Sequence, residues 1–153
     1  MPIPDITDKG HLPPGIHACT VSELARRFGT ASTQRKRLMK CLIGYLARLR
    51  DLGGVGGVLI DGSFTSDRPQ PHDVDVVVPM PAPPDRRWLE GFARLMRESK
   101  DRYHVHTLPD SPGAPGTWAD FLQRVKPIDQ QMLGITDPNY RKGLLWLPLE
   151  RNA

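Results

Sequence analysis

Residues 58–78 constrain the fold of this chain more than any other stretch. Val58-Leu59-Ile60-Asp61 is a short apolar run that ends on Gly62-Ser63. Nine residues later comes Asp73-Val74-Asp75-Val76-Val77-Val78. Valine and isoleucine at this density favour extended backbone. Side chains alternate across a strand, so Asp73 and Asp75 share one face while Val74 and Val76 take the other. The apolar face needs a covering layer. The acidic face holds two carboxylates about two strand rises apart, roughly 6.6 Å between Cα atoms.

The flanking segments supply the covering layer. Thr20-Val21-Ser22-Glu23 reads as a capping box that opens a short helix ending near Gly29. A second helix starts at a Ser32/Thr33 cap and runs to about Asp51, where Gly53-Gly54 stops it. Its residues Leu38, Cys41, Leu42, Tyr45, Leu46 and Leu49 recur at three and four, which makes one buried stripe. Residues 55–61 form the first predicted strand, 62–72 a loop and 73–78 the second strand. Asp85 caps a third helix through about Lys100, with Trp88, Leu89, Phe92, Leu95 and Met96 as its stripe. Residues 103–108 alternate like a strand. Thr117 caps a short helix carrying Trp118, Phe121, Leu122 and Val125, and 144–149 is the last strand.

Most of the sixteen prolines concentrate at the N-terminus, after residue 66, at 79–84 and at 109–115, which predicts long ordered loops. The expected fold is α/β (α+β): a small mixed β-sheet flanked by helices, in a single domain over 20–153. Residues 1–19 read as an extended arm punctuated by Pro13-Pro14-Gly15.

Composition narrows the function classes. Hydrophobic residues make up 39% and charged residues 25%, ordinary values for a soluble domain. No apolar run reaches the roughly 20 residues of a membrane span. Met1-Pro2-Ile3-Pro4-Asp5 lacks a basic region followed by an apolar stretch, so a cytoplasmic location is the default. Cys19 and Cys41 form neither a disulfide framework nor a metal knuckle, and Cys41 falls among core positions.

The net charge of +4 permits an anionic partner. Arg35-Lys36-Arg37 with Lys40, Arg48 and Arg50 has two readings: a phosphate-contact surface, or the wet face of an amphipathic helix, which is commoner. Arg86-Arg87 has the same solvated reading, and Arg141-Lys142 beside Tyr140 is a weak signal for a nucleic-acid end. The tryptophans at 88, 118 and 146 have apolar neighbours and read as core.

The acidic face carries the chemistry. Two carboxylates repel unless something positive lies between them. Hard oxygen ligands of this kind suit Mg²⁺, which takes one or two carboxylates plus substrate phosphates. A pair of metals clamping an in-line phosphoryl displacement also fits. Gly62-Ser63 is the complementary half. Glycine lets a phosphate approach the backbone, amides at such a turn favour an anion, and the Ser63 hydroxyl can donate to a phosphate oxygen.

The pattern Gly62-Ser63-x9-Asp73-Val74-Asp75 resembles the signature of the DNA polymerase β-like nucleotidyltransferase superfamily. More closely, the chain resembles a group of small bacterial nucleotidyltransferase-like proteins of the DUF6932 type. The matching stretches are Leu12-Pro13-Pro14-Gly15-Ile16-His17, Arg27-Phe28-Gly29-Thr30, Asp61-Gly62-Ser63-Phe64 and Arg141-Lys142-Gly143. The resemblance implies a nucleotidyltransferase fold. It also implies Mg²⁺ or Mn²⁺ on Asp73 and Asp75, an NTP substrate held at Gly62 and Ser63, and an acceptor hydroxyl on RNA or protein.

Some relatives of this type are toxins of toxin–antitoxin or phage-defence systems, which implies a cognate antitoxin or another neighbouring-gene protein as partner. The superfamily usually adds a third carboxylate on a later strand, where this chain has His104 and His106. Three readings follow. A histidine serves as base, another acid such as Asp61 substitutes, or the fold binds nucleotide, nucleic acid or a partner protein without transfer. His72 reads as a loop residue beside the first aspartate.

Overall fold

The computed structural model of the chain describes residues 3–113 and 115–149. Its elements run β1 (Ile16–Ala18), α1 (Val21–Phe28), α2 (Thr33–Leu52), β2 (Gly57–Asp61), a 3₁₀ turn (Ser63–Thr65), β3 (Val74–Pro79), α3 (Arg86–Tyr103), β4 (Val105–Asp110), α4 (Thr117–Leu122), α5 (Pro127–Met132) and β5 (Leu144–Pro148). The five strands form one mixed sheet in the order β1-β5-β2-β3-β4. β2 lies antiparallel to both β3 and β5, while β1–β5 and β3–β4 are parallel. Connecting parallel neighbours needs a crossover, and α3 provides it between β3 and β4.

Local chemistry sets the helix starts. The Thr20 hydroxyl accepts from the Glu23 amide at 3.1 Å and the Glu23 carboxylate accepts from the Thr20 amide at 3.1 Å, the reciprocal box expected at α1. Ser32 caps α2 through the Arg35 amide at 3.1 Å, and Asp85 caps α3 through the Trp88 amide at 2.7 Å. α4 differs from the expectation. Its N-cap is Gly116 at φ 83°, and Thr117 is the first helical residue. A left-handed backbone there favours glycine over the threonine that sequence suggests.

Strand alternation divides the interior in two. Val58, Ile60, Val74, Val76 and Val78 face the stripe of α2, where Leu38, Leu42, Tyr45, Leu46 and Leu49 are buried. Each such side chain removed from water stabilises the fold by about 1.5–3 kcal/mol. On the other face Leu59, Val77, Leu108 and Leu144 pack with Ala119 of α4, flanked by Trp118, Leu122 and Trp146. This second layer is thin, and it covers only part of that face.

The segment read as an arm belongs to the domain. Ile3 and Leu12 are buried, and β1 pairs with β5 at the sheet edge. The Gly143 amide donates to the Leu12 carbonyl at 2.9 Å, and a Cβ on Gly143 would collide with the Pro13 carbonyl oxygen. The Leu-Pro-Pro-Gly stretch and Arg141-Lys142-Gly143 are therefore one packed unit. No helix among the described residues is long and apolar enough to cross a membrane.

Candidate active site on the open face of the sheet

Alternation places Asp61, Asp75 and His106 in a row across β2, β3 and β4. Asp61 is the register partner of Asp75, and Asp75 is the register partner of His106. They stand on the α4 face, one pleat beyond Leu59, Val77 and Leu108. The same face is thus apolar along its middle and ionisable at one end. A cleft of about 630 Å³ opens there. Asp61 and Asp75 form part of its wall, with His11, Phe121, Arg124, Lys126, Arg141 and Lys142 among the other lining residues.

Each acid has a different setting. Asp61 is buried, and both its oxygens accept from Lys142 Nζ at 2.9 Å. Asp75 is partly buried, with its side chain 24% exposed and its Oδ1 3.4 Å from His106 Nδ1. Burial pushes its carboxyl above the ordinary aspartate range, and the charges of Asp61 and Asp73 push it further. His106 and Lys142 oppose that rise. Asp73 immediately precedes β3 and is half-buried.

Gly62 turns the chain at φ 92°, and a Cβ there would lie 3.3 Å from Asp75 Oδ2. Glycine thus lets the loop meet the carboxylate, and Ser63 opens the 3₁₀ turn beside it.

His104 is not with this group. It is the C-cap of α3 in the left-handed region at φ 53°, and its Nε2 lies 3.3 Å from Arg37 Nη2 of α2. Strand alternation would put His104 and His106 on one face, but the helix runs three residues further than its stripe suggests and strand geometry begins only at Val105. Asp110, expected beyond the strand, is the last residue of β4, at the end away from His106. Its Oδ2 accepts from the Gly116 amide at 3.0 Å. Asp101 is exposed on α3, and His72 is exposed in the loop.

The basic run of α2 also divides. Lys36, Arg37 and Lys40 are exposed, but Arg35 is buried. Its guanidinium donates to the carbonyls of Phe28, Phe64, Ser66 and Arg68 and sits near the Phe28 and Phe64 rings. Neither solvated-face nor phosphate-contact readings hold for this residue. It fastens the loop that follows Gly62-Ser63. Arg48 is also committed, in an ion pair with Glu98.

Among the described residues no group of three or more His, Cys, Asp or Glu side chains makes a metal cage. Mg²⁺ does not require one, since it keeps waters and takes substrate phosphates beside one or two carboxylates. Asp73 and Asp75 offer those carboxylates where negative charge already crowds and the proton affinity of Asp75 is raised. These residues fit a divalent cation that brings part of its own shell.

The raised Asp75 carboxyl makes a stability prediction. Between the ordinary aspartate range and its raised value, the folded chain holds more protons than the unfolded one. Stability is therefore lost as pH rises through that window and stays lost above it. Asp75→Asn should stabilise the metal-free chain at neutral pH by about 0.2–1 kcal/mol, the scale of a cross-strand like-charge pair. Thermal midpoints should show the gain at neutral pH and none where Asp75 is protonated. A loss of stability at neutral pH would contradict the assigned electrostatics.

A family model matches residues 4–147. The chain belongs to the DUF6932 family, a family of unknown function. No curated protein and no solved structure matches the chain. Family membership covers the arm, the Gly-Ser turn, the acidic row and Lys142 alike, so the site lies wholly inside the matched region.

Lys142 is the site residue that sequence reasoning placed elsewhere. It was legible only as part of a basic pair before the last strand. Its partner lies 81 positions away, a separation that no local pattern encodes.

Proposed function

We propose that this DUF6932 protein is a metal-dependent nucleotidyltransferase that moves a nucleoside monophosphate from an NTP to an acceptor hydroxyl. The observation that carries the reading is Asp75. A partly buried carboxylate is held against Gly62 of the Gly-Ser turn, beside Asp73 and Asp61, where its charge opposes folding. Such an arrangement is expected where a cation and its phosphates restore the balance.

Asp73 and Asp75 would hold Mg²⁺ or Mn²⁺, which when bound neutralises phosphate charge. Gly62 and Ser63 would receive the β and γ phosphates. The acceptor oxygen forms the new bond to the α phosphorus, the bond from that phosphorus to the bridging oxygen breaks, and pyrophosphate leaves. His106 presents Nδ1 to Asp75, which frees Nε2 to take the acceptor proton. RNA, a tRNA end first, is the proposed acceptor class. Arg124, Lys126 and Arg141 around the cleft support an anionic acceptor, and a protein hydroxyl is the second class to test. The resemblance to toxin and phage-defence proteins supports a role in such a system, with a neighbouring-gene protein as partner.

Two observations favour the rival reading, a module that binds nucleotide, nucleic acid or protein without transfer. The register partner of Asp75 on β4 is a histidine, and Asp61 is neutralised by Lys142. An assay with each α-labelled NTP, Mg²⁺ or Mn²⁺, and separate RNA and protein fractions distinguishes the two. Transfer predicts label on one fraction, lost with EDTA and in Asp73→Asn. Label that persists in Asp73→Asn would sink the assigned site, and no label with any NTP would favour the binding module.

A further inference from the structure

Lys142 is held by contacts along both its backbone and its side chain. Its amide donates to the Gln123 carbonyl at 2.8 Å, and the next residue, Gly143, is locked against Leu12 and Pro13. Its side chain is only 20% exposed, and its ammonium sits 2.9 Å from both oxygens of a carboxylate that is 3% exposed. That carboxylate, Asp61, stands directly across from Asp75, and all three line one cleft. A buried carboxylate at this position would otherwise be free to ligate a cation shared with Asp75.

The geometry points to Lys142 as a built-in cation that takes the place of a second divalent ion, so that the site binds one metal. This inference rests on the metal-binding reading given above and goes beyond it. Asp61, Asp73 and Asp75 set against Lys142 leave two negative charges, which one divalent ion neutralises. A second ion on Asp61 would have to displace the ammonium from a bidentate contact. A tethered ammonium can serve as a point charge toward phosphate but cannot polarise a ligated water as a metal does. Lys142 is thus a positioning residue: it withholds Asp61 from the metal and leaves Asp73 and Asp75 as the ligands.

Mn²⁺ titration of the full chain, followed by electron paramagnetic resonance and calorimetry, tests this without any turnover. Wild type should saturate at one Mn²⁺ per chain. Asp61→Asn should still bind one, because Asp61 is not a ligand. Lys142→Met should bind two, and Mn²⁺ should raise its thermal midpoint more than it raises that of wild type. Two Mn²⁺ in wild type, or loss of Mn²⁺ in Asp61→Asn, would overturn the role of Lys142 while leaving a metal site in place. A folded Lys142→Met that stays at one ion would do the same. If Lys142→Met does not fold, the wild-type and Asp61→Asn counts decide. No Mn²⁺ in wild type at all would remove the metal site itself, and the inference with it.

Discussion

Arg35→Met will destabilise the domain by about 2–6 kcal/mol, because each of the two buried carbonyls left without a donor costs about 1–3 kcal/mol. The Phe28 and Phe64 carbonyls are the buried pair, at 3.0 and 2.6 Å from Nη1. Those of Ser66 and Arg68, at 2.9 and 2.6 Å from Nη2, are nearer solvent and can turn to water. Methionine keeps much of the volume between the Phe28 and Phe64 rings, so the loss isolates the hydrogen bonds from the packing.

Arg35→Lys should recover only part, since one ammonium cannot span four acceptors as a planar guanidinium does. Domains of this kind are stable by roughly 5–15 kcal/mol, so the change is large and still measurable by urea unfolding. A loss under about 1 kcal/mol would mean that the loop after Gly62-Ser63 is fastened by something else.

The sequence carries the parts of this fold that are local. The capping box at Thr20, the Asp85 cap, the α2 stripe and the extended backbone of β2 and β3 follow from residues within a few positions of one another. Features made by distant partners are not readable in that way. β1 is only three residues long and exists through its pairing with β5, more than a hundred positions later. Arg35 falls on the α2 stripe, three residues before Leu38 and seven before Leu42, yet its charge reads as solvated, and only the returning 64–68 loop supplies the carbonyls that keep it in. α5 opens with Pro127 at its first turn and buries no residue, so it leaves no hydrophobic period to detect. His104 follows strand alternation on paper, yet in the left-handed cap of α3 its side chain meets Arg37, while its carbonyl still accepts from the Val74 amide.

Those distant contacts also change what the candidate site is. The sequence pattern offers two aspartates and leaves the third acid open. The fold puts three ionisable groups in one row, Asp61, Asp75 and His106, and neutralises the first with Lys142. That leaves Asp73 and Asp75 as the available anionic pair, beside a glycine that admits close approach. Under the proposed function, binding of an NTP with its metal should depend on both carboxylates together, because either alone offers a single anionic ligand to an ion that competes with water.

Thermal unfolding with each of the four NTPs, in Mg²⁺ and in EDTA, tests this claim most directly when wild type is compared with Asp73→Ala/Asp75→Ala. A ligand at about one hundred times its dissociation constant adds about 2.7 kcal/mol. In a chain of this size that is a rise of roughly 5–10 °C. The predicted result is such a rise for one NTP in wild type, absent in EDTA and absent in the double variant. No rise for any NTP in folded wild type, or an equal rise in the double variant, would contradict the site.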